Sequence, residues 1–168
     1  MIIVIAGTPG TGKTAVAKQL AKDIGYEYIS LNQIVVDNNL GEKDDSRNTL
    51  AVDLNNLKEF VDNMNLQDVV IDGIISYAVS SDVCIVLRCE PNVLRKRLIV
   101  KNWTKAKVDE NIESEIVAYV VVEALEHNDK VFEIDTTTHT MKNVVKLCGH
   151  IAATRDSDYE AGKIDWME

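Results

Sequence analysis

Gly7-Thr8-Pro9-Gly10-Thr11-Gly12-Lys13-Thr14 satisfies G-x-x-x-x-G-K-[ST], glycines, a lysine and a hydroxyl at fixed spacing. Between a buried strand and a helix, such a run is a phosphate site. Its glycines let successive backbone N–H groups turn inward as an anion nest, and the first turn of the next helix adds free N–H groups and its dipole. In that geometry Lys13 reaches the β- and γ-phosphates of a nucleotide, and the Thr14 hydroxyl ligates Mg²⁺. The chain holds no Asn-Lys-x-Asp run to read guanine, so the expected nucleotide is ATP.

Two further features fit phosphoryl transfer. Asp72 closes an apolar run, Val69-Val70-Ile71, just before Gly73. A carboxylate at that strand end is where a ligand to Mg²⁺-bound water belongs. Arg88, Arg95, Lys96, Arg97, Lys101, Lys105 and Lys107 fall within twenty positions, with Glu90 the one acid among them. Cations closing over a migrating phosphoryl group stabilise its spread charge. A charge run is ordinarily a solvated helix face, and Lys96 and Lys105 are read that way. Arg88, at the end of a buried strand, and Arg97 are assigned to phosphate. The acidic Glu42, Asp44 and Asp45 read as a polar loop. His127, His139 and His150 lack ligand spacing, and Cys84 and Cys89 read as packing residues.

The elements that must hold these groups follow from the apolar pattern. Ile2 to Ala6, Val69 to Ile71 and Val83 to Leu87 are short apolar runs, and with Tyr26 to Ile29 and Val131 to Ile134 they are expected as five strands. Helical spacing marks Thr14 to Ile24, stopped by Gly25, then Asn32 to Asn39, and Leu50, Leu54, Leu57 with Val61. Pro91 opens a helix carrying Leu94 and Leu98. Val108, Ile112, Ile116, Val120 and Ala124 recur every four residues, which predicts one long helix, and Val144 to Ile151 predicts the last. Strands alternating with helices give an α/β domain with a five-stranded, mostly parallel, doubly wound sheet. The polar stretch 41–48 reads as a mobile loop, and the tail after Arg155 shows no period.

The chain's 168 residues correspond to one domain, and 46% apolar with 27% charged residues excludes disordered and fibrous classes. No apolar run is long enough to span a membrane, and no secretory leader is visible after Met1. Three cysteines, Cys84, Cys89 and Cys148, are too few and odd for a disulfide framework. The expectation is a cytoplasmic protein. A net charge of −9 argues against unselective binding to nucleic acid.

Beyond the phosphate loop, the sequence resembles the archaeal adenylate-kinase-like proteins related to eukaryotic adenylate kinase isoenzyme 6. The resemblance rests on Gly7 through Thr14, Asp45-Ser46-Arg47 through Asp53, Val86-Leu87-Arg88-Cys89 through Leu98, Lys101-Asn102-Trp103 through Ile116, and the closing Gly162-Lys163-Ile164-Asp165-Trp166. It implies a P-loop nucleoside-monophosphate-kinase fold in a single domain, 1–168, with a monophosphate-binding segment at about 30–53, a lid at about 100–110 and a tail at 155–168. It implies the reaction ATP + NMP = ADP + NDP, with AMP or a related monophosphate as acceptor. It also implies ATPase activity and assistance to small-ribosomal-subunit maturation through one platform protein. By the same resemblance Gly10, Gly12, Lys13, Thr14 and Ala15 hold ATP, and Lys101 stands where relatives place a lid arginine. Two departures stand out. The related strand end reads Asp-x-His, whereas this chain has Asp72-Gly73-Ile74, and Lys101 replaces a bidentate guanidinium with a point charge.

Three readings therefore compete. In the first the chain is a monophosphate kinase; in the second it is an ATP-driven assembly switch that binds a ribosomal protein and has little kinase activity. In the third, which Ile74 alone supports against an intact phosphate loop, it is a nucleotide-binding pseudoenzyme. The absent histidine does not exclude kinase chemistry, because an acceptor phosphate oxygen is already ionised and needs no general base.

Overall fold

Apolar strands alternating with helices are stable only when both faces of the sheet are covered. The computed structural model, which describes residues 1–44 and 49–167, shows that arrangement. A five-stranded parallel sheet runs in the order β2-β5-β1-β6-β7, from β1 (Ile2–Gly7), β2 (Glu27–Ser30), β5 (Val69–Asp72), β6 (Val83–Arg88) and β7 (Val131–Asp135). Ile3 and Ile5 enter one core with α1 (Lys13–Ile24) and α7 (Met141–Thr154). Val4 and Ala6 enter the other, with α2 (Leu31–Asp37), α3 (Leu54–Asn63) and α6 (Tyr119–His127). Ile3, Ile5, Ile71, Ile85 and Leu87 are each 0% exposed, and burial of each such side chain contributes about 1.5–3 kcal/mol. A third apolar cluster joins α4 (Pro91–Ile99) to α5 (Lys105–Ile116) through Leu94, Leu98, Val108 and Ile112. No helix among the described residues is long and apolar enough to cross a membrane.

The structure corrects four expectations. The helix expected from Leu50 begins at Leu54, because the Asp53 carboxylate accepts the N–H groups of Asn55 and Asn56 as an N-cap. Upstream, β4 (Thr49–Val52) pairs antiparallel with β3 (Gly41–Asp44), so the first four residues of the expected loop form a strand. Residues 45–48, including Asp45 and the Asp45-Ser46-Arg47 run, lie outside the described residues.

The single long helix is two. Ala118 takes φ 52°, in the left-handed region, and ends α5. The break lets Val108 and Ile112 pack on α4 while Val120, Val121 and Ala124 turn into the sheet core. The tail is also built. After α7, residues 157–159 form a 3-10 turn, Glu160 bridges to Phe132, and the Ala161 N–H donates to the Val131 carbonyl at 2.9 Å. The fourth correction, at Arg88, concerns the site itself.

Candidate active site

β1 and β5 run parallel side by side, so Gly7 and Asp72 emerge at the same end of the sheet. That end, outside the carboxyl ends of the strands, is where open parallel sheets bind ligands. Gly7 has φ 140°, and a Cβ there would stand 2.4 Å from the Leu87 carbonyl oxygen. Gly10 has φ 93°, and a Cβ would press Leu94 and Leu98 at 2.9 Å. Both glycines are therefore required for the loop to turn this close to β6 and α4.

Inside the loop, Lys13 Nζ donates to the Thr8 carbonyl at 3.1 Å, and Thr11 Oγ1 donates to the same oxygen at 2.9 Å. Burial lowers the Lys13 pKa from 10.5 to about 8, Asp72 opposing the shift and Lys101 adding to it. An ammonium so placed is charged below that pH and loses its proton above it. The kcat/KM for ATP should therefore fall as pH rises through about 8. Rates measured between about pH 6 and 10 test this; a profile flat across that range would contradict it.

Thr14 Oγ1 donates to Asp72 Oδ2 at 2.5 Å, and Tyr28 Oη donates to Asp72 Oδ1 at 2.8 Å. Burial, with Asp72 beside it, pushes the Tyr28 phenol up to about 12, so it stays a donor. The hydroxyl and carboxylate present hard oxygen atoms beside the loop lysine, the donor set Mg²⁺ takes when it arrives with phosphates. No group of three or more His, Cys, Asp or Glu side chains suited to a metal is found among the described residues. Thr14 and Asp72 are the residues that could hold a metal carried by a nucleotide.

One cleft of about 1260 Å³ joins these groups. Gly10, Gly12, Lys13, Thr14 and Ala15 line one wall, Asn32, Gly73 and Ile74 another, and Arg97, Lys101, Trp103 and Lys107 a third. Lys107 Nζ lies 4.3 Å and Lys101 Nζ 5.2 Å from the Trp103 ring centroid, so the indole carries a pair of cations over the opening. Arg97 reaches the cleft from α4, anchored by Nη2 to the Thr136 carbonyl at 2.9 Å. A second pocket of about 280 Å³ adjoins Gly10 and Gly12 and is lined by Thr136, His139 and Met141. Sequence reasoning missed these three, which follow β7 and carry no motif.

The structure thus brings Gly10, Gly12, Lys13, Thr14, Ala15, Asp72, Arg97 and Lys101 to one opening. It does not bring Arg88. That side chain is 1% exposed, with Nε 2.7 Å from Glu115 and Nη1 3.2 Å from Glu133. Its guanidinium is consumed by interior carboxylates, so the expected phosphate role gives way to a structural one. Lys105 is also committed elsewhere, pairing with Asp109, as Arg95 does. Burial pushes the Cys84 and Cys148 thiols up to about 12, as befits packing residues.

The chain matches the family described as an AAA domain over residues 3–118. It is 38% identical to a protein of Thermococcus kodakarensis described as "putative adenylate kinase", over 100% of this chain and 94% of that protein. A protein of Archaeoglobus fulgidus with the same description is 35% identical over 99% of this chain and 92% of its own length. In architecture the chain is similar to shikimate kinase from Bacteroides thetaiotaomicron, with TM-score 0.57 at 15% identity, over 90% of this chain and 98% of that one.

Proposed function

The chain belongs to the adenylate-kinase-like family of AAA-domain proteins, and from that premise we propose that it transfers the terminal phosphoryl group of ATP to a nucleoside monophosphate. The observation that carries this reading is the continuity of the cleft. Ligand pockets ordinarily measure about 300–1,000 Å³, and this one, at about 1260 Å³, runs from the phosphate loop to Asn32, Gly73 and Ile74. Donor and acceptor can share it, with the phosphate loop holding ATP and the 30–53 segment holding the monophosphate.

Each residue then has a defined task. The loop N–H groups and Lys13 hold the β- and γ-phosphates, and Arg97 and Lys101 face the migrating group. Pocket residues Thr136, His139 and Met141 flank the base. Thr14 and Asp72 would hold Mg²⁺, which would supply neutralisation of the phosphate charge. Catalysis is positioning plus electrostatic stabilisation, since the acceptor oxygen attacks already ionised. Ile74 lines the cleft and offers a water no hydrogen bond, which favours transfer over hydrolysis. The segment at about 100–110, with Lys101, Trp103 and Lys107, acts as the lid that excludes water.

A bisubstrate compound, two adenosines joined through a phosphate chain, tests the shared cleft. It should bind at least a hundredfold more tightly than ATP, because the second nucleotide binds without a second loss of translational freedom. Affinity equal to that of ATP in calorimetry would mean one nucleotide site and no acceptor site. Participation in small-subunit maturation through a ribosomal protein rests on the resemblance alone, as a second use of the same ATP site.

A further inference from the structure

Glu115, at the last turn of α5, is 2% exposed and its carboxylate accepts four hydrogen bonds. Its Oε2 accepts from Thr8 Oγ1 at 2.6 Å. Its Oε1 accepts from Arg88 Nε at 2.7 Å, the Cys89 N–H at 3.1 Å and Trp166 Nε1 at 3.3 Å. Thr8 is thus held by its hydroxyl from below, while its carbonyl holds Lys13 and Thr11 above. The carboxylate therefore acts on the phosphate loop at one remove from the ammonium that would meet the nucleotide.

The same cluster reaches the C-terminal segment. Glu133 Oε1 accepts the N–H groups of Gly162, Lys163 and Ile164 at 3.0, 2.7 and 2.8 Å, and Oε2 accepts from Arg88 Nη1 at 3.2 Å. Arg88 is the one guanidinium between two carboxylates, all three side chains 2% exposed. The group carries an excess negative charge in the interior, and that charge is relieved by donors from the tail: three backbone N–H groups and one indole N–H. If the tail leaves, Glu133 loses three donors and Glu115 loses one. Both then compete for Arg88, and the hold of Glu115 on Thr8 changes with them.

We propose that Glu115 is a positioning residue for the phosphate loop, and that it couples docking of residues 160–166 to nucleotide binding. The two states are a docked tail with Thr8 fixed and a released tail with Thr8 slack, and coupling through a shared residue is reciprocal. Nucleotide therefore stabilises the docked tail, and the docked tail raises nucleotide affinity. The inference rests on the reading that this loop binds a nucleotide, and it goes beyond that reading by assigning the C-terminal segment a part in the site.

The test uses the full chain with ATP as the probe, in calorimetry and in hydrogen exchange at the amides of Gly162, Lys163 and Ile164. In the unaltered protein saturating ATP should slow exchange at these amides. Thr8→Val keeps the shape and removes the one donor to Glu115 Oε2. It should weaken ATP binding about tenfold, the scale of a hydrogen bond to a buried charge, and abolish the ATP-dependent slowing. Thr8→Ser, which keeps the hydroxyl, should restore both. Trp166→Phe, at a half-buried site where misfolding is not expected, should weaken ATP binding severalfold, removing the other end of the relay. Wild-type affinity in Thr8→Val and Trp166→Phe, or slowing that persists in Thr8→Val, overturns the coupling while leaving the nucleotide site intact. Failure of the unaltered protein to bind ATP overturns the nucleotide site, and the coupling with it.

Discussion

Lys13→Ala should lower phosphoryl transfer by about three orders of magnitude while the fold stands, a loss on the scale of removing a principal charge from a phosphoryl-transfer site. The lysine is 9% exposed, its ammonium lies 3.1 Å from the Thr8 carbonyl, and it lines the cleft proposed to hold the phosphates. Its pKa is lowered to about 8, chiefly by burial, so the folded chain holds this charge at a cost rather than gaining from it. Removing it should leave the thermal midpoint within a few degrees of the unaltered protein. Steady-state rates on the purified variant, with its melting curve beside them, check both halves. Full activity would remove Lys13 from the site, and a collapsed melting curve would make the lysine structural.

Arg88→Met should do the opposite, costing stability first. Arg88 donates to Glu115 and Glu133, to the Glu115 carbonyl at 3.0 Å and to the Ile164 carbonyl at 3.4 Å. Methionine fills much of the volume but leaves two carboxylates buried without their cation. Breaking one partner out of a buried pair costs about 3–5 kcal/mol. For a chain of this size that lowers the thermal midpoint by roughly 6–20 °C. Thermal and denaturant unfolding measure the loss. An unchanged midpoint with transfer abolished would return Arg88 to the phosphates, where its place at a strand end among basic residues first put it.

The contrast between these two arginine and lysine positions shows what the chain reveals in one dimension. The phosphate loop was legible because its chemistry is local: a glycine that must take φ 140° against a neighbouring strand, and a lysine and threonine in the turn that follows. Strands β1, β5 and β6 were legible because burial on both faces leaves continuous apolar runs. Arg88 was misplaced because its partners stand 27 and 45 residues away, and no spacing rule marks Glu115 or Glu133 as interior.

The break at Ala118 was hidden for a related reason. Apolar positions recur every four residues on both sides of it, yet α5 packs on α4 and α6 on the sheet, surfaces that only the tertiary structure separates. The β3–β4 hairpin lacks an apolar alternation because its strands stand outside the main sheet. In the tail, order comes from Glu133 collecting three backbone N–H groups, a carboxylate lying about thirty residues upstream. Thr136, His139 and Met141 reach the phosphate loop because β7 pairs with β6 and α7 packs on α1.

The central claim is transfer to a monophosphate, and product identification tests it most directly. The protein is supplied with Mg-ATP alone and then with AMP, dAMP, CMP, UMP or GMP, with Lys13→Ala as the blank. The structure predicts a rate that depends on the acceptor, with ADP and the matching nucleoside diphosphate formed in equal amounts and little inorganic phosphate. ADP and inorganic phosphate released at one slow rate, whatever monophosphate is present, would contradict a kinase and identify the cleft as that of an ATP-driven switch.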